Sequence, residues 1–244
     1  MKTAVFLAIV LVSGALAGTI HGVANLVIAE PYLDEAIGIE NQNLFASGEE
    51  EDTPEFWVEY NSYRDWQKGG QVLAGAILGT SIGALFGIVY ALSRKALPEG
   101  SDMKKTFVLA AVMWFSIYIV PFLKYPANPP TVGDGETVVL RAILYLAFIA
   151  ISGFGVVGFY QVYKRLAKSR KVLAFVGYTA FISMVFVLMP PNPDEVTAPM
   201  DLVNGFRAMS VVAVSVFWVA LAIILGAFWH KFQPHKELRT TDSK

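Results

Sequence analysis

Residues Val72–Leu92 read VLAGAILGTSIGALFGIVYAL, twenty-one residues in succession without a charge. A helix rises about 1.5 Å per residue and the hydrocarbon core of a bilayer is about 30 Å thick, so roughly 20 apolar residues cross it. Five more runs meet that test: Val5–Ala29, Phe107–Leu123, Val138–Tyr160, Val172–Met189 and Phe206–Trp229. The sequence therefore predicts an all-α polytopic integral membrane protein, a single transmembrane domain over 1–244 with about six transmembrane helices. Residues 30–70 are expected to form an extracytoplasmic acidic linker.

Charge alternates in sign from one linker to the next. Basic residues collect before the first run (Lys2), after the second (Arg94, Lys95, Lys104, Lys105), after the fourth (Lys164, Arg165, Lys168, Arg170, Lys171) and in the tail (Lys231, Lys236, Arg239, Lys244). Glu30, Asp34, Glu35, Glu40, Glu49, Glu50, Glu51, Asp52, Glu55 and Glu59 crowd the first linker; Asp134 and Glu136 lie in the third, Asp194, Glu195 and Asp201 in the fifth. Short cytoplasmic segments carry the excess of Lys and Arg. The expected arrangement is a multi-pass protein of the cell membrane with N- and C-termini cytoplasmic. At the start, Ala15-Leu16-Ala17 before Gly18 also resembles a cleavage site. The apolar run continues past it to Ala29, which favours a retained span; cleavage would leave five spans in the same orientation.

The composition agrees, with 55% hydrophobic residues, mean hydropathy +0.51 and net charge −1. The basic clusters are short and juxtamembrane, suited to anionic lipid headgroups rather than nucleic acid. The absence of cysteine excludes disulfides and thiolate metal ligands. There is no GxxxxGK[ST], HExxH or GxSxG, so the sequence gives no sign of an enzyme of those kinds.

Gly75, Gly79, Gly83 and Gly87 recur at i+4 in the second run, and Gly14, Gly18 and Gly22 do so in the first. Such faces let helix backbones approach closely, as static packing or as a sliding interface. Outer linkers begin at Glu30-Pro31, Asn128-Pro129 and Asn192-Pro193, and each leads to an Arg (Arg64, Arg141, Arg207). Three helical hairpins would give that pattern.

Ionisable groups within the runs are few. His21 lies eight residues before Ala29 with Asn25 one turn on. It is either a metal ligand or a hydrogen-bonded packing residue. Arg141 and Arg207 are expected to pair with outer carboxylates or to meet substrate. Tyr32–Ile37 is expected to form a short surface helix, and Phe56, Trp57, Tyr60, Tyr63 and Trp66 an interfacial aromatic cluster. The least generic stretch is Lys124-Tyr125-Pro126-Ala127-Asn128-Pro129-Pro130-Thr131-Val132-Gly133-Asp134. Four prolines from Pro121 to Pro130 forbid a regular helix and predict a rigid turn at the outer mouth.

These residues carry a resemblance. Val120–Pro130, then Val132-Gly133-Asp134, Thr137 and Arg141, resemble the CbtA family of predicted cobalt transporter subunits. Glu30-Pro31, Ala36-Ile37, Glu40, Gln67, Gly69, Pro191–Val196 and Phe206-Arg207 match as well. The resemblance implies cobalt uptake supplying cobalamin synthesis, cobalt as cargo with no resident cofactor, and a small CbtB-like membrane partner bearing a His-rich segment. It carries no ligand set onto this chain. From chemistry, Glu30, Asp34, Glu40, Asn128, Asp134 and Glu195 are candidate capture ligands and His21 a deeper one; Lys124, Pro126, Pro129, Pro130, Arg141 and Arg207 would frame the mouth. The alternatives are a non-transporting membrane scaffold, or a carrier of a non-metal solute.

Overall fold

The structure is a computed structural model that describes residues 3–130 and 132–235. Lys2, Thr131, Lys236, Arg239 and Lys244 lie outside the described residues. The chain is all-helical, with no strand among the described residues. Its helices are α1 (Thr3–Ile28), α2 (Glu30–Ser47), α3 (Pro54–Ser93), α4 (Asp102–Trp114), α5 (Val120–Lys124), α6 (Val138–Arg165), α7 (Val172–Leu188) and α8 (Met200–Phe232). Among the described residues, six helical stretches are long and apolar enough to span: 3–28, 54–93, 102–124, 135–165, 168–188 and 200–232. Each expected run falls inside one of them to within a residue.

The linker 30–70 is mostly helix, well beyond the short surface helix expected at Tyr32–Ile37. Pro31 has no N–H for the carbonyl of Val27, so α1 breaks at Ala29 and α2 starts at once. The α2 helix is three times longer than the six residues expected. It ends where Gly48, at φ +74°, turns its N–H onto Phe45 O. The α3 helix then starts at a capped end: Thr53 Oγ1 accepts from Phe56 N at 3.2 Å and Pro54 takes the first helical position. With 40 residues, α3 is about 60 Å long, twice the hydrocarbon thickness. Its leading half, 54–71, carries the charges and aromatics and exceeds what the bilayer needs. Phe45 closes the α2–α3 corner against Phe56 and Trp57, with ring centroids 5.0 and 5.9 Å away. The acidic segment Glu49–Asp52 is the exposed turn between them.

Proline also shapes the third span, where the helix persists to Lys124 and the irregular segment starts only at Tyr125. A π-helical turn, Phe115–Ile119, precedes α5, and Val120 N reaches back five residues to Phe115 O. The wider turn places Pro121, which has no N–H, at the start of α5.

Packing sorts the chain into two compact units. The first comprises Met1–Pro31, Asn41–Ala111 and Met209–Lys244, the second Tyr32–Glu40 and Val112–Ala208. In the first, α1 runs antiparallel along α3 through the two glycine stripes. A Cβ added at Gly18 would stand 2.9 Å from Gly79 Cα, and one at Gly83 would stand 2.5 Å from Gly14 Cα. No side chain fits there, so the backbones themselves are in contact. Around that seam Phe86, Tyr90, Leu221, Leu225 and Trp229 are fully buried. In the second unit, Val120, Tyr125, Phe148 and Val185 form the core, and α6 packs on α7 and on the end of the third span.

Candidate functional site

The proline-rich turn of the second unit is held at both ends by arginine. At its start, Arg207 on α8 donates from Nη2 to Asn128 Oδ1 at 2.7 Å, and Nε adds bonds of 3.2 Å to the same oxygen and 3.4 Å to Ala127 O. Its partner is thus an amide and a carbonyl, not the carboxylate that its charge suggested. At the far end, Arg141 on α6 pairs with Asp194 at 2.8 Å and donates to Asp134 O at 2.9 Å. The Asp194 side chain is only 7% exposed, so its charge depends on these donors. Thr137 Oγ1 donates to Asp194 and lies 3.1 Å from Arg141 Nε. Asp134 itself is exposed and caps the following 3₁₀ turn by accepting from Glu136 N at 2.9 Å.

Gly133 explains why this turn carries glycine between valine and aspartate. Its φ is +111°, and an added Cβ would meet Arg141 Nη1 and Asp194 Oδ2, each at 2.6 Å. Tyr125 donates to Pro190 O at 2.6 Å, tying the turn to the loop after α7. Burial pushes its hydroxyl pKa up, so it stays a donor. Pro129 is buried and Pro126 half-buried, while Pro130 is exposed. Lys124 places its ammonium 4.8 Å from the centre of the Phe186 ring. Together these elements border a cavity of about 350 Å³ lined by Tyr118, Phe122, Tyr125, Asn128, Tyr145 and Asn192 among others.

The remaining candidate ligands are placed elsewhere. Glu30 is 5% exposed and accepts from Arg64 at 2.5 Å and from Gln71 at 3.3 Å. Arg64 is itself 7% exposed and also reaches Gln67 at 2.7 Å. Glu30 is therefore half of a buried ion pair. His21 Nδ1 lies 3.0 Å from Ala213 O, and its ring meets Phe217 edge-on. Asp34 is half-buried, while Glu40 and Glu195 are exposed. Among the described residues no three His, Cys, Asp or Glu side chains gather as a metal site.

A polar cluster that the sequence reading did not single out lies in the first unit. Asp102, 8% exposed, accepts from Arg94 Nη2 at 2.7 Å and from the Tyr90 hydroxyl at 3.1 Å. His230 Nδ1 stands 3.9 Å from its other oxygen. The sequence signal for the pair is Asp102 eight residues after Arg94 with Gly100 between them, where the chain turns at φ +144°.

Six helical stretches long and apolar enough to span, among the described residues, and a braced, proline-rich turn define a polytopic α-helical membrane protein. The chain belongs to the family described as probable cobalt transporter subunit (CbtA), which matches residues 3–230. Comparison with curated proteins and with solved structures returned no match. A transporter subunit works with other chains, so the family implies partners.

Proposed function

We propose that the chain is the membrane subunit of a divalent-cation uptake transporter, with cobalt as its cargo and cobalamin synthesis as the destination. The family match over residues 3–230, to a probable cobalt transporter subunit, supports the cobalt cargo in this reading. Electrostatics support the inward direction. Residues 30–70 hold eleven carboxylates against Arg64 and Lys68. Glu35, Glu40, Glu49, Glu50, Glu51, Asp52, Glu55 and Glu59 are exposed. Such a field raises the local concentration of cations and speeds their arrival.

On this reading residues 30–70 and the turn 125–134 face outward from the cell membrane, with both termini inside. The membrane potential then pulls a dication inward by about 4.6 kcal/mol per 100 mV. His21, Glu30 and Asn128 already hold protein partners. Capture therefore falls to exposed oxygens: Glu40, Asp134, Glu195 and the turn Glu49–Asp52. Co²⁺ accepts such oxygens and imidazole alike, as do Ni²⁺, Zn²⁺ and Mn²⁺. A small CbtB-like membrane partner completes the coordination.

The test is elemental analysis of cells that express the chain with and without that partner, across several divalent metals. Cobalt content rises when both are present. Unchanged cobalt in every combination contradicts the proposal, and robust recovery of the partner alongside it would point to a scaffold.

A further inference from the structure

We propose that the 350 Å³ cavity of the second unit is a binding site for a small carboxylate with a flat apolar body. Its volume lies at the low end of the roughly 300–1,000 Å³ that small-molecule sites occupy. Three observations converge on it.

The first is the π-helical turn Phe115–Ile119, which carries Tyr118 into the wall of the cavity. Isolated π turns inside α-helices recur at functional sites. The second is the Tyr118 hydroxyl, which is enclosed and has no hydrogen-bond partner. Phenylalanine would fill the same space without a stranded donor. A group kept at that cost is explained by a ligand that satisfies it.

The third is the sign of the remaining polar groups. Asn128 Oδ1 is occupied by Arg207, and Asn192 Oδ1 by the backbone N–H of Asp194 at 3.3 Å. Each amide therefore has its Nδ2 left over, which only donates. Arg141 also lines the cavity, with its guanidinium already paired to Asp194 at 2.8 Å, and Asp194 is not among the lining residues. Amide and hydroxyl donors lining the same cavity as the rings of Tyr118, Phe122, Tyr125 and Tyr145 suit an oxyanion on a planar apolar body. A bare dication would find amide donors and no carboxylate among the lining residues. The proposal thus goes beyond the cation reading and stands without it.

The test is calorimetric titration of the purified full-length chain in detergent with benzoate, phenylacetate and nicotinate. Benzamide, benzylammonium and cobalt chloride serve as neutral and cationic controls, and phosphatidylglycerol as the lipid control. At least one carboxylate should bind ten-fold or more tighter than benzamide, and benzylammonium should not bind. Tyr118→Phe should weaken the carboxylate five-fold or more with an unchanged or higher melting temperature. Asn192→Asp keeps the acceptor for Asp194 N but adds a negative charge, and should abolish binding. Carboxylate affinity untouched by Tyr118→Phe, no carboxylate binding by the folded chain, or stronger binding of benzylammonium or cobalt would overturn the proposal. Displacement of the carboxylate by phosphatidylglycerol at lower concentration would reassign the cavity to a phospholipid headgroup and overturn it as well.

Discussion

Alanine at Gly18 puts a methyl group where two backbones touch. Its Cβ would stand 2.9 Å from Gly79 Cα and from the carbonyl carbon of Gly75, whereas carbon atoms rest at about 3.5–4.0 Å. Backbone atoms cannot rotate aside, so α1 and α3 must part by roughly 1 Å. A gap of that size forfeits about a quarter to a half of each contact's attraction, and it opens along the whole stripe from Gly14 to Gly22. Overpacking costs typically about 1–3 kcal/mol, and the backbone contacts put Gly18→Ala at the upper end of that range. Gly79→Ala presses on the same place from the other helix, 2.8 Å from Gly18 N. One separation accommodates both methyls, so the double variant should cost at least about 1 kcal/mol less than the sum. Gly69 and Gly70 provide the control, because a Cβ there meets nothing within 4 Å. Alanine at either should stabilise α3 by about 0.5–1 kcal/mol through helix propensity alone. Reversible unfolding in mixed micelles, followed by tryptophan fluorescence, measures all of these. A Gly18→Ala chain as stable as Gly70→Ala, or strict additivity of Gly18→Ala with Gly79→Ala, would refute the packing.

Glu30→Gln breaks the buried Glu30–Arg64 ion pair and should cost about 3–5 kcal/mol in the same assay; a loss below about 1 kcal/mol would mark a solvated surface pair instead. Gly133→Ala combines a left-handed φ with a clash against the Arg141–Asp194 pair, so the turn should shift and stability fall by about 2 kcal/mol or more; an unaltered melting curve would mean that the turn does not need this pair. Neutralising Glu49, Glu50, Glu51 and Asp52 to their amides should slow cobalt entry at low ionic strength and have little effect near 1 M salt, where the screening length is about 3 Å. A defect that persists at high salt would indicate direct coordination in place of attraction.

Local chemistry made the helices readable. Apolar runs fix the spans because the bilayer demands their length, and an i+4 glycine stripe lines one helix face whatever surrounds it. The corner at Thr53-Pro54 was also written locally, as a capping residue followed by proline, but the charges and aromatics after it masked the helix they belong to. Long-range pairings left no such trace. Glu30 and Arg64 are separated by 34 residues, and nothing in either neighbourhood says that they meet. Arg207 chose the Asn128 amide over a carboxylate because the packed turn presents that oxygen. His21 found a carbonyl of α8, which only the tertiary arrangement supplies. The π turn in Phe115–Ile119 answers Pro121, and sequence shows the proline but not the register that absorbs it.

The outward placement of the acidic segment is what joins fold to cation uptake, and it can be measured directly. The chain has no cysteine, so a single introduced thiol reports one position. Glu50→Cys should react with a membrane-impermeant maleimide in intact cells, and Lys95→Cys only after permeabilisation. The reverse pattern would put the carboxylates in the cytoplasm and contradict the account.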